Sequence, residues 1–212
     1  MRNWINKTNA GRFLWTNYML YKYYLKDTGW LKSTKLNQSV SVENKPLPWL
    51  SFSFQKFLEG RVNSNLSILE YGSGNSTLWF SERVKNIISV EHDKSWYEFI
   101  SNKLNSKPNI EYHFKDLENK EYEEFSNTLQ NSFDIILIDG RKRVACAHNS
   151  LRLLKSNGVI IWDNSERPQY QQGIEDLLKA GFKKLDFWGL SASSYMNSCT
   201  SVLYKTDNCL GI

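Results

Sequence analysis

A short polar segment between two apolar runs carries the residues best suited to hold a ligand. The run Ile68-Leu69 ends in Glu70 and is followed by the small residues Gly-Ser-Gly-Asn-Ser at 72–76. Glycine at positions 72 and 74 permits a tight turn and lets a ligand approach the backbone closely. A helical stretch and a second apolar run, which ends in Glu91, come next. The segment therefore predicts a βαβ unit with a ligand at its first turn.

The spacing of the two acids indicates what kind of ligand this is. Glu91 lies 21 residues after Glu70, at the end of the second strand, where a carboxylate can accept both hydroxyls of a ribose. A dinucleotide fingerprint would have a third glycine where Thr77 stands, and the Glu70 carboxylate would repel a pyrophosphate. That carboxylate would instead pair with an amino group. The pattern favours a nucleoside that carries an amino acid over a dinucleotide.

The letters E-Y-G-S-G-N-S at 70–76 resemble motif I of the class I S-adenosylmethionine-dependent methyltransferases, an acid followed by GxGxG, with Ser76 in place of the last glycine. The resemblance covers roughly residues 46–205 and also extends to uncharacterised bacterial methyltransferase-like proteins. It implies S-adenosyl-L-methionine as the cofactor and a methyltransferase activity. The predicted cofactor residues are Glu70, Gly72, Gly74, Ser76, Thr77, Glu91, His92, Asp116 and Asp139.

The resemblance also implies individual roles. Glu91 would hold the ribose, Asp116 the exocyclic amino group of adenine, and Asp139 would face the methionine end of the cofactor and the substrate. The hydroxyls of Ser76 and Thr77 would be donors to the cofactor carboxylate. For His92 two alternatives stay open: contact near the adenosine, or a surface histidine without a role.

A second polar cluster suggests a metal. Asp139, Asp163 and Asn164 follow two predicted strands and offer three oxygen ligands of the kind that Mg²⁺ prefers. The arrangement resembles the metal-dependent catechol-type O-methyltransferases, in which a lysine three residues beyond the first acid is the general base. Lys142 occupies that place, so Asp139 and Lys142 are the predicted catalytic residues.

There is an alternative to the metal. Asp163 and Asn164 can simply cap the following loop, and the cations at 141–143 would compete with a metal ion. The same cations suit an anionic acceptor. The expected function is methylation, at an oxygen, of a small-molecule acceptor that is anionic or sugar-like. A non-catalytic methyltransferase-like binding protein is an alternative, and an NAD-dependent oxidoreductase has weaker support.

Strands and helices alternate along the rest of the chain. Periodicity predicts helices at Ser51–Leu58, Ser95–Asn105, Lys120–Gln130, Val144–Lys155 and Tyr170–Ala180, and strands at Asn109–Phe114, Phe133–Ile138, Val159–Trp162, Lys183–Trp188 and Thr200–Lys205. Such alternation is typical of a mostly parallel sheet with helices on both faces. The expected fold is α/β: a doubly wound, mostly parallel, seven-stranded, Rossmann-like sheet with an N-terminal helical extension. Its acids should collect along one edge.

Residues 1–45 differ from the methyltransferase domain expected at 46–212. The stretch Arg12–Lys26 predicts a helix that is apolar over much of its circumference. It would pack on the domain as a cover, lie on a membrane surface, or serve as a lid or a dimer contact. Residues 32–44 are polar and predict a linker or a mobile loop over the site. Trp49 would line the pocket or belong to the core.

Composition limits the remaining classes. The net charge of +5 comes with no stripe of cations interleaved with aromatics, which does not favour nucleic-acid binding. The cysteines at 146, 199 and 209 have no CxxC or metal spacing and are expected to be free thiols. Neither a signal peptide nor a transmembrane segment is expected, which predicts a cytoplasmic protein. Peripheral membrane contact and a homodimer stay open through the aromatic helix.

Overall fold

A single mixed sheet organises the chain in the computed structural model, which describes residues 8–105 and 107–212. The strands are β1 Ser67–Tyr71, β2 Asn86–Glu91, β3 Ile110–Phe114, β4 Phe133–Ile138, β5 Leu154–Trp162, β6 Lys183–Gly189 and β7 Ser198–Tyr204. Their spatial order is β3-β2-β1-β4-β5-β7-β6. Neighbours pair in parallel except that β7 runs antiparallel to both β5 and β6. The predicted doubly wound, seven-stranded fold is confirmed.

The helices connect these strands in the predicted order, but none forms at 120–130, and the one predicted at Val144–Lys155 ends at Ser150 because β5 already begins at Leu154. They are α1 Asn9–Met19, continued by a π-helix at Leu20–Leu25, α2 Trp30–Leu36, α3 Phe52–Leu58, α4 Asn75–Ser81, α5 Lys94–Leu104, α6 Arg143–Ser150 and α7 Gln171–Lys179. The helix predicted at 120–130 is wrong: only 3₁₀ turns form there, at Glu118–Lys120 and Phe125–Thr128. Asn119 and Lys120 have positive φ, which interrupts a helix. The side chains of Tyr122 and Phe125 are nevertheless buried, although the backbone that carries them is not a regular α-helix.

The core lies on both faces of the sheet. Alternate residues of a strand point to opposite faces, so Leu69 and Ile136 belong to one buried cluster while Ile68 and Ile135 belong to the other. Residues of α6 and α7 contribute to the first cluster, and residues of α3 and α4 contribute to the second. The central strands β1 and β4 are buried throughout. Their carboxyl ends are held rigidly at one edge as a result.

The N-terminal segment differs from two expectations. No residue of 9–25 is buried, so the helix does not pack on the domain as a cover. The linker expected at 32–44 is partly helix α2, which begins after Gly29 and buries Ser33. The Ser33 hydroxyl donates to Val40 O at 3.0 Å and fixes the following turn. The division of the chain at residue 45 stays a prediction.

Gly72 lies where the turn after β1 crosses the turn after β4. Its N–H donates to Val90 O at 3.0 Å, and Asp139 N donates to Tyr71 O at 2.9 Å. Its φ is +91°, and a Cβ would lie 2.9 Å from the carbonyl carbon and oxygen of Asp139. Only glycine fits because backbone on the facing turn cannot move aside.

We expect Gly72→Ala to lower the free energy of unfolding by about 3 kcal/mol, since strain from the positive φ adds to a collision with backbone. Chemical denaturation measures this. Gly181→Ala is the matched control, because Gly181 has φ +87° but open space around the added Cβ. It should lose only about 1 kcal/mol. Equal losses in the two variants would show that the crossing is not sterically closed.

Candidate functional site

A cavity of about 450 Å³ opens at the carboxyl ends of β1, β4 and β5. Its volume falls in the range of small-molecule sites, about 300–1,000 Å³. The loops that follow these strands meet the β6–β7 connection and the N-terminal segment there. The lining residues are Gln38, Ser39, Trp49, Ser73, Gly74, Asn75, Ser76, Trp96, Lys103, Asp139, Asp163, Asn164, Glu166, Arg167, Ser191, Ser194, Met196, Asn197 and Ser198.

Glu70 lies beneath the turn rather than in the cavity wall. It is fully buried, and its carboxylate accepts hydrogen bonds from Ser76 Oγ at 2.6 Å, Thr77 Oγ1 at 2.5 Å and Ser89 Oγ at 2.6 Å. Thr77 Oγ1 in turn accepts from Gly74 N at 3.0 Å. The hydroxyls predicted to face the cofactor carboxylate therefore face Glu70, because a buried carboxylate needs donors. Burial raises the pKa of Glu70 to about 7, against the lowering effect of the hydroxyls.

Glu91 supports the same turn from the side. It is buried, and one carboxylate oxygen accepts from Ser73 N at 3.0 Å and from Ser73 Oγ at 2.9 Å. The other accepts from the backbone N–H groups of His92 and Asp93 at 2.8 and 2.9 Å. Burial would raise the pKa of Glu91, but hydrogen bonds outweigh it, first that of the His92 side chain and then those of Asp93 N and Ser73, and hold the pKa below its usual value. An ionised Glu91 therefore fixes the shape of the glycine turn.

Six of the nine predicted cofactor residues are outside the cavity lining, among them His92 and Asp116. The His92 ring lies edge-on to the Tyr122 ring, with centroids 5.4 Å apart. Asp116 Oδ1 accepts from Glu118 N at 2.8 Å and so closes the turn after β3. Gly74, Ser76 and Asp139 are the members of the predicted set that line the cavity.

Asp139 and Asp163 meet at the floor of the cavity, from the ends of β4 and β5. Asp163 is buried and accepts from Thr200 Oγ1 at 2.7 Å, while 21% of the Asp139 side chain is exposed. Burial raises the pKa of Asp139, and the negative charge of Asp163 raises it further. Burial likewise raises the pKa of Asp163. The floor is thus an acid pair with increased proton affinity.

A buried arginine occupies the centre of the predicted metal site. Arg143 Nη2 lies 3.0 Å from Asp139 Oδ1 and 3.5 Å from Asn164 Oδ1, and Arg143 Nη1 donates to Asp163 O. The side-chain oxygens of Asp139 and Asn164 therefore lie near one permanent cation, which would repel a metal ion, and Asp163 contacts the same cation through its backbone carbonyl. Within 8–105 and 107–212, no three His, Cys, Asp or Glu side chains are grouped to hold a metal. This contact with a cation does not favour Mg²⁺, and the metal site at Asp139, Asp163 and Asn164 stays a prediction.

Lys142, the predicted general base, lies outside the cavity lining. It is exposed and has φ +49° at the start of α6. The backbone turn that brings Arg143 inward directs Lys142 outward. Arg143, the next residue, is the one that contacts Asp139 of the acid pair.

Sequence reasoning missed Trp96. Its Nε1 donates to Ser73 O at 2.8 Å, and its ring lies 3.7 Å from where a Cβ on Gly74 would be. The signal was present: α5 carries apolar residues at 96, 99, 100 and 104 but buries only Ile100 and Leu104. The surplus Trp96 is instead an aromatic wall of the cavity.

The N-terminal segment and the late loops complete the site. Asn75 Nδ2 donates to Ser39 O at 2.7 Å, and Trp30 Nε1 donates to Ser194 O at 2.7 Å. Trp49 lines the cavity, which decides between the two alternatives for this residue. The loop after Asn164 and the β6–β7 connection both reach the cavity.

The chain is similar to known methyltransferases in sequence and in fold. Residues 69–165 match a family model described as a methyltransferase domain. Among solved structures, the chain is similar to a precorrin-6y C5,15-methyltransferase from Geobacter metallireducens, at 15% identity and a TM-score of 0.60, over 82% of this chain and 96% of that chain. The predicted resemblance is confirmed: residues 69–165 are similar to a methyltransferase domain, and the fold is that of solved methyltransferases.

Two further structures share the fold. An rRNA methylase from Streptococcus thermophilus is 14% identical with a TM-score of 0.53, over 71% of this chain and 92% of that chain. N-methyltransferase NodS from Bradyrhizobium japonicum, in complex with S-adenosyl-L-homocysteine, is 13% identical with a TM-score of 0.51, over 72% and 83% respectively. At these identities the similarity shows the fold alone. No match was found among curated proteins.

Two compositional expectations have structural counterparts. Cys146, Cys199 and Cys209 are free, as expected. Across the part of the chain that the structure describes, no helix combines the length and the apolarity needed to cross a bilayer.

We expect wild-type protein to lose stability relative to Glu70→Gln as the pH rises from about 4.5 to about 7. The folded state holds the Glu70 proton more tightly than the unfolded state, whose pKa is near 4.5, so unfolding releases a proton in this window and becomes easier. The difference should reach about 3 kcal/mol and stay constant above pH 7. Urea unfolding across this pH range measures it. Glu98→Gln, at an exposed position, should follow the wild-type curve; parallel curves for Glu70→Gln and wild type would contradict the assigned pKa.

We expect millimolar Mg²⁺ to leave the wild-type melting temperature unchanged, because the Arg143 guanidinium already lies against Asp139 and Asn164 and repels a second cation. Arg143→Gln should lower the free energy of unfolding by about 3 kcal/mol, since it leaves buried carboxylates without their cation. Differential scanning fluorimetry with and without EDTA checks both statements. A rise in the wild-type melting temperature on adding Mg²⁺ would contradict this prediction and support a magnesium site.

Proposed function

We propose that the chain is an S-adenosylmethionine-dependent methyltransferase that methylates an oxygen of a small-molecule acceptor, without a metal. The observation that carries the proposal is the meeting of the glycine turn, the aromatic Trp96 and the acid pair around one 450 Å³ cavity. The fold and the methyltransferase-domain match of residues 69–165 support it.

The residues present fit the chemistry of this cofactor. Ser73 and Gly74 bring bare backbone to the cavity, and the adjacent Trp96 ring offers an apolar face on which an adenine can stack. The partly exposed Asp139 carboxylate suits the ammonium group of a methionine moiety. When bound, S-adenosylmethionine supplies an electrophilic methyl group on a positively charged sulfonium. Glu70 and Glu91 act indirectly, by holding the turn in shape.

The acid pair is the proposed proton acceptor. Transfer to a hydroxyl forms a carbon–oxygen bond and releases one proton from that hydroxyl. Asp163 lines the cavity, and burial raises the affinity of its carboxylate for a proton. Arg143 holds Asp139 in position through the 3.0 Å contact and limits repulsion between the two acids. The exposed Lys142 is replaced in this role by Asp163.

Two cations in the cavity wall favour an anionic acceptor. Arg167 and Lys103 both line the cavity, and in the described part of the chain neither forms an ion pair with an acid. Two such cations suit a carboxylate or a phosphate. Hydroxyl and amide groups of Ser194, Asn197 and Asn164 complement the polar atoms of a sugar-like acceptor.

We expect Asp139→Asn to weaken the binding of S-adenosyl-L-homocysteine at least about tenfold, because a charged partner of the ammonium group is lost. Isothermal titration calorimetry measures this. Asp207→Asn is the matched control: Asp207 is exposed and follows β7 at the opposite edge of the sheet, so affinity should be unchanged.

Three outcomes would count against the proposal. NAD binding tighter than S-adenosyl-L-homocysteine binding would favour an oxidoreductase. Affinity that is equal in wild type and Asp139→Asn would remove Asp139 from the cofactor site. Cofactor binding without transfer of labelled methyl to any fraction of a cell extract would favour a non-catalytic binding protein.

A further inference from the structure

The helix formed by α1 and its π-helical continuation, residues 9–25, presents an apolar surface that the domain does not cover. Phe13 and Leu14 are each 68% exposed, and Leu20 is 50% exposed. Four tyrosines are exposed on the same segment, at positions 18, 21, 23 and 24. Patches of this kind mark interaction surfaces, because isolated apolar side chains are common but clusters are not.

Charge is concentrated at this end of the chain. Residues 1–42 contain seven Lys and Arg and one Asp, a net charge of +6, whereas the whole protein carries +5. The remainder is therefore close to neutral. Between residues 8 and 26 the charged residues are Arg12, Lys22 and Lys26, with no acid. None of these three forms an ion pair in the described residues.

We propose that residues 9–25 dock this protein on the surface of an anionic lipid bilayer. The phenol rings of the tyrosines suit the interface between headgroups and acyl chains, where one end of a side chain is apolar and the other is hydrated. Phe13, Leu14 and Leu20 enter the acyl boundary, and Arg12, Lys22 and Lys26 pair with anionic headgroups. The helix is about 25 Å long and lies along the surface rather than across it.

Two other occupants fit less well. A second copy of the helix would bring Arg12, Lys22 and Lys26 near their own counterparts with no acid on the segment to pair with them. A nucleic acid would be held through few cations and would leave Phe13, Leu14 and Leu20 in water. An anionic bilayer satisfies the apolar side chains and the cations together. This docking is independent of the proposed methyl transfer.

Cosedimentation of the full chain with sucrose-loaded vesicles tests the proposal. Vesicles of phosphatidylcholine alone are compared with vesicles that contain about one third phosphatidylglycerol, a strongly anionic surface. We expect binding to the mixed vesicles, weaker binding to phosphatidylcholine, and a loss of binding as salt is increased. Equal binding to both vesicle types, or none to the mixed vesicles, would overturn the proposal.

The double variant Phe13→Gln/Leu20→Gln should bind the mixed vesicles at least about tenfold less than wild type. Thr16→Gln is the matched control, because Thr16 is exposed on the same helix and apolar area is not lost. All changed residues are exposed, so thermal unfolding of each variant should match wild type. Unchanged vesicle binding by the double variant would overturn the proposal. A concentration-dependent dimer in sedimentation velocity that the double variant dissociates would assign the helix to a second copy instead.

Discussion

The buried Glu70 carboxylate is the constraint on which the candidate site depends. A charge removed from water must find donors, and three hydroxyls supply them, from Ser76 and Thr77 on α4 and from Ser89 on β2. These contacts tie the strand, the helix that follows it and the neighbouring strand into one unit. Because Thr77 also accepts from Gly74 N, the shape of the turn follows from the position of the carboxylate. Glu70, which the sequence predicts to contact the cofactor, instead supports the turn through these hydrogen bonds.

A second buried charge organises the other half of the edge. Arg143, the first residue of α6, reaches across to Asp139, Asp163 and Asn164 and so joins the ends of β4 and β5. Its guanidinium presents a planar array of hydrogen-bond donors to oxygen atoms that could otherwise coordinate a metal ion. The same three residues therefore serve a site built on hydrogen bonds and proton affinity. The Arg143 guanidinium thus lies against two of the three residues for which the sequence predicts Mg²⁺ coordination.

The remainder of the site comes from segments far apart in the chain. Ser39 is fixed to the turn through Asn75, and Trp30 is fixed to the β6–β7 connection through Ser194. The N-terminal region thus divides into two parts: residues 30–49 contribute to the cavity wall, while 9–25 carry exposed apolar side chains. Residues 9–25 contribute no residue to the cavity lining, so the proposed docking surface and the candidate site use different parts of the N-terminal region.

The sequence alone determined the architecture, because local periodicity and buried apolar runs specify strands, and alternation with helices specifies a parallel sheet. It also located the glycine turn and the acids at the strand ends. Tertiary structure decided what each acid does, since that depends on donors distant in sequence: Glu70 and Glu91 support the turn, and Asp139 and Asp163 face the cavity. It likewise decided that Arg143 rather than Lys142 turns inward, and that Trp96 forms a wall. Spacing along a chain cannot reveal which of two adjacent side chains is directed at a partner on another strand.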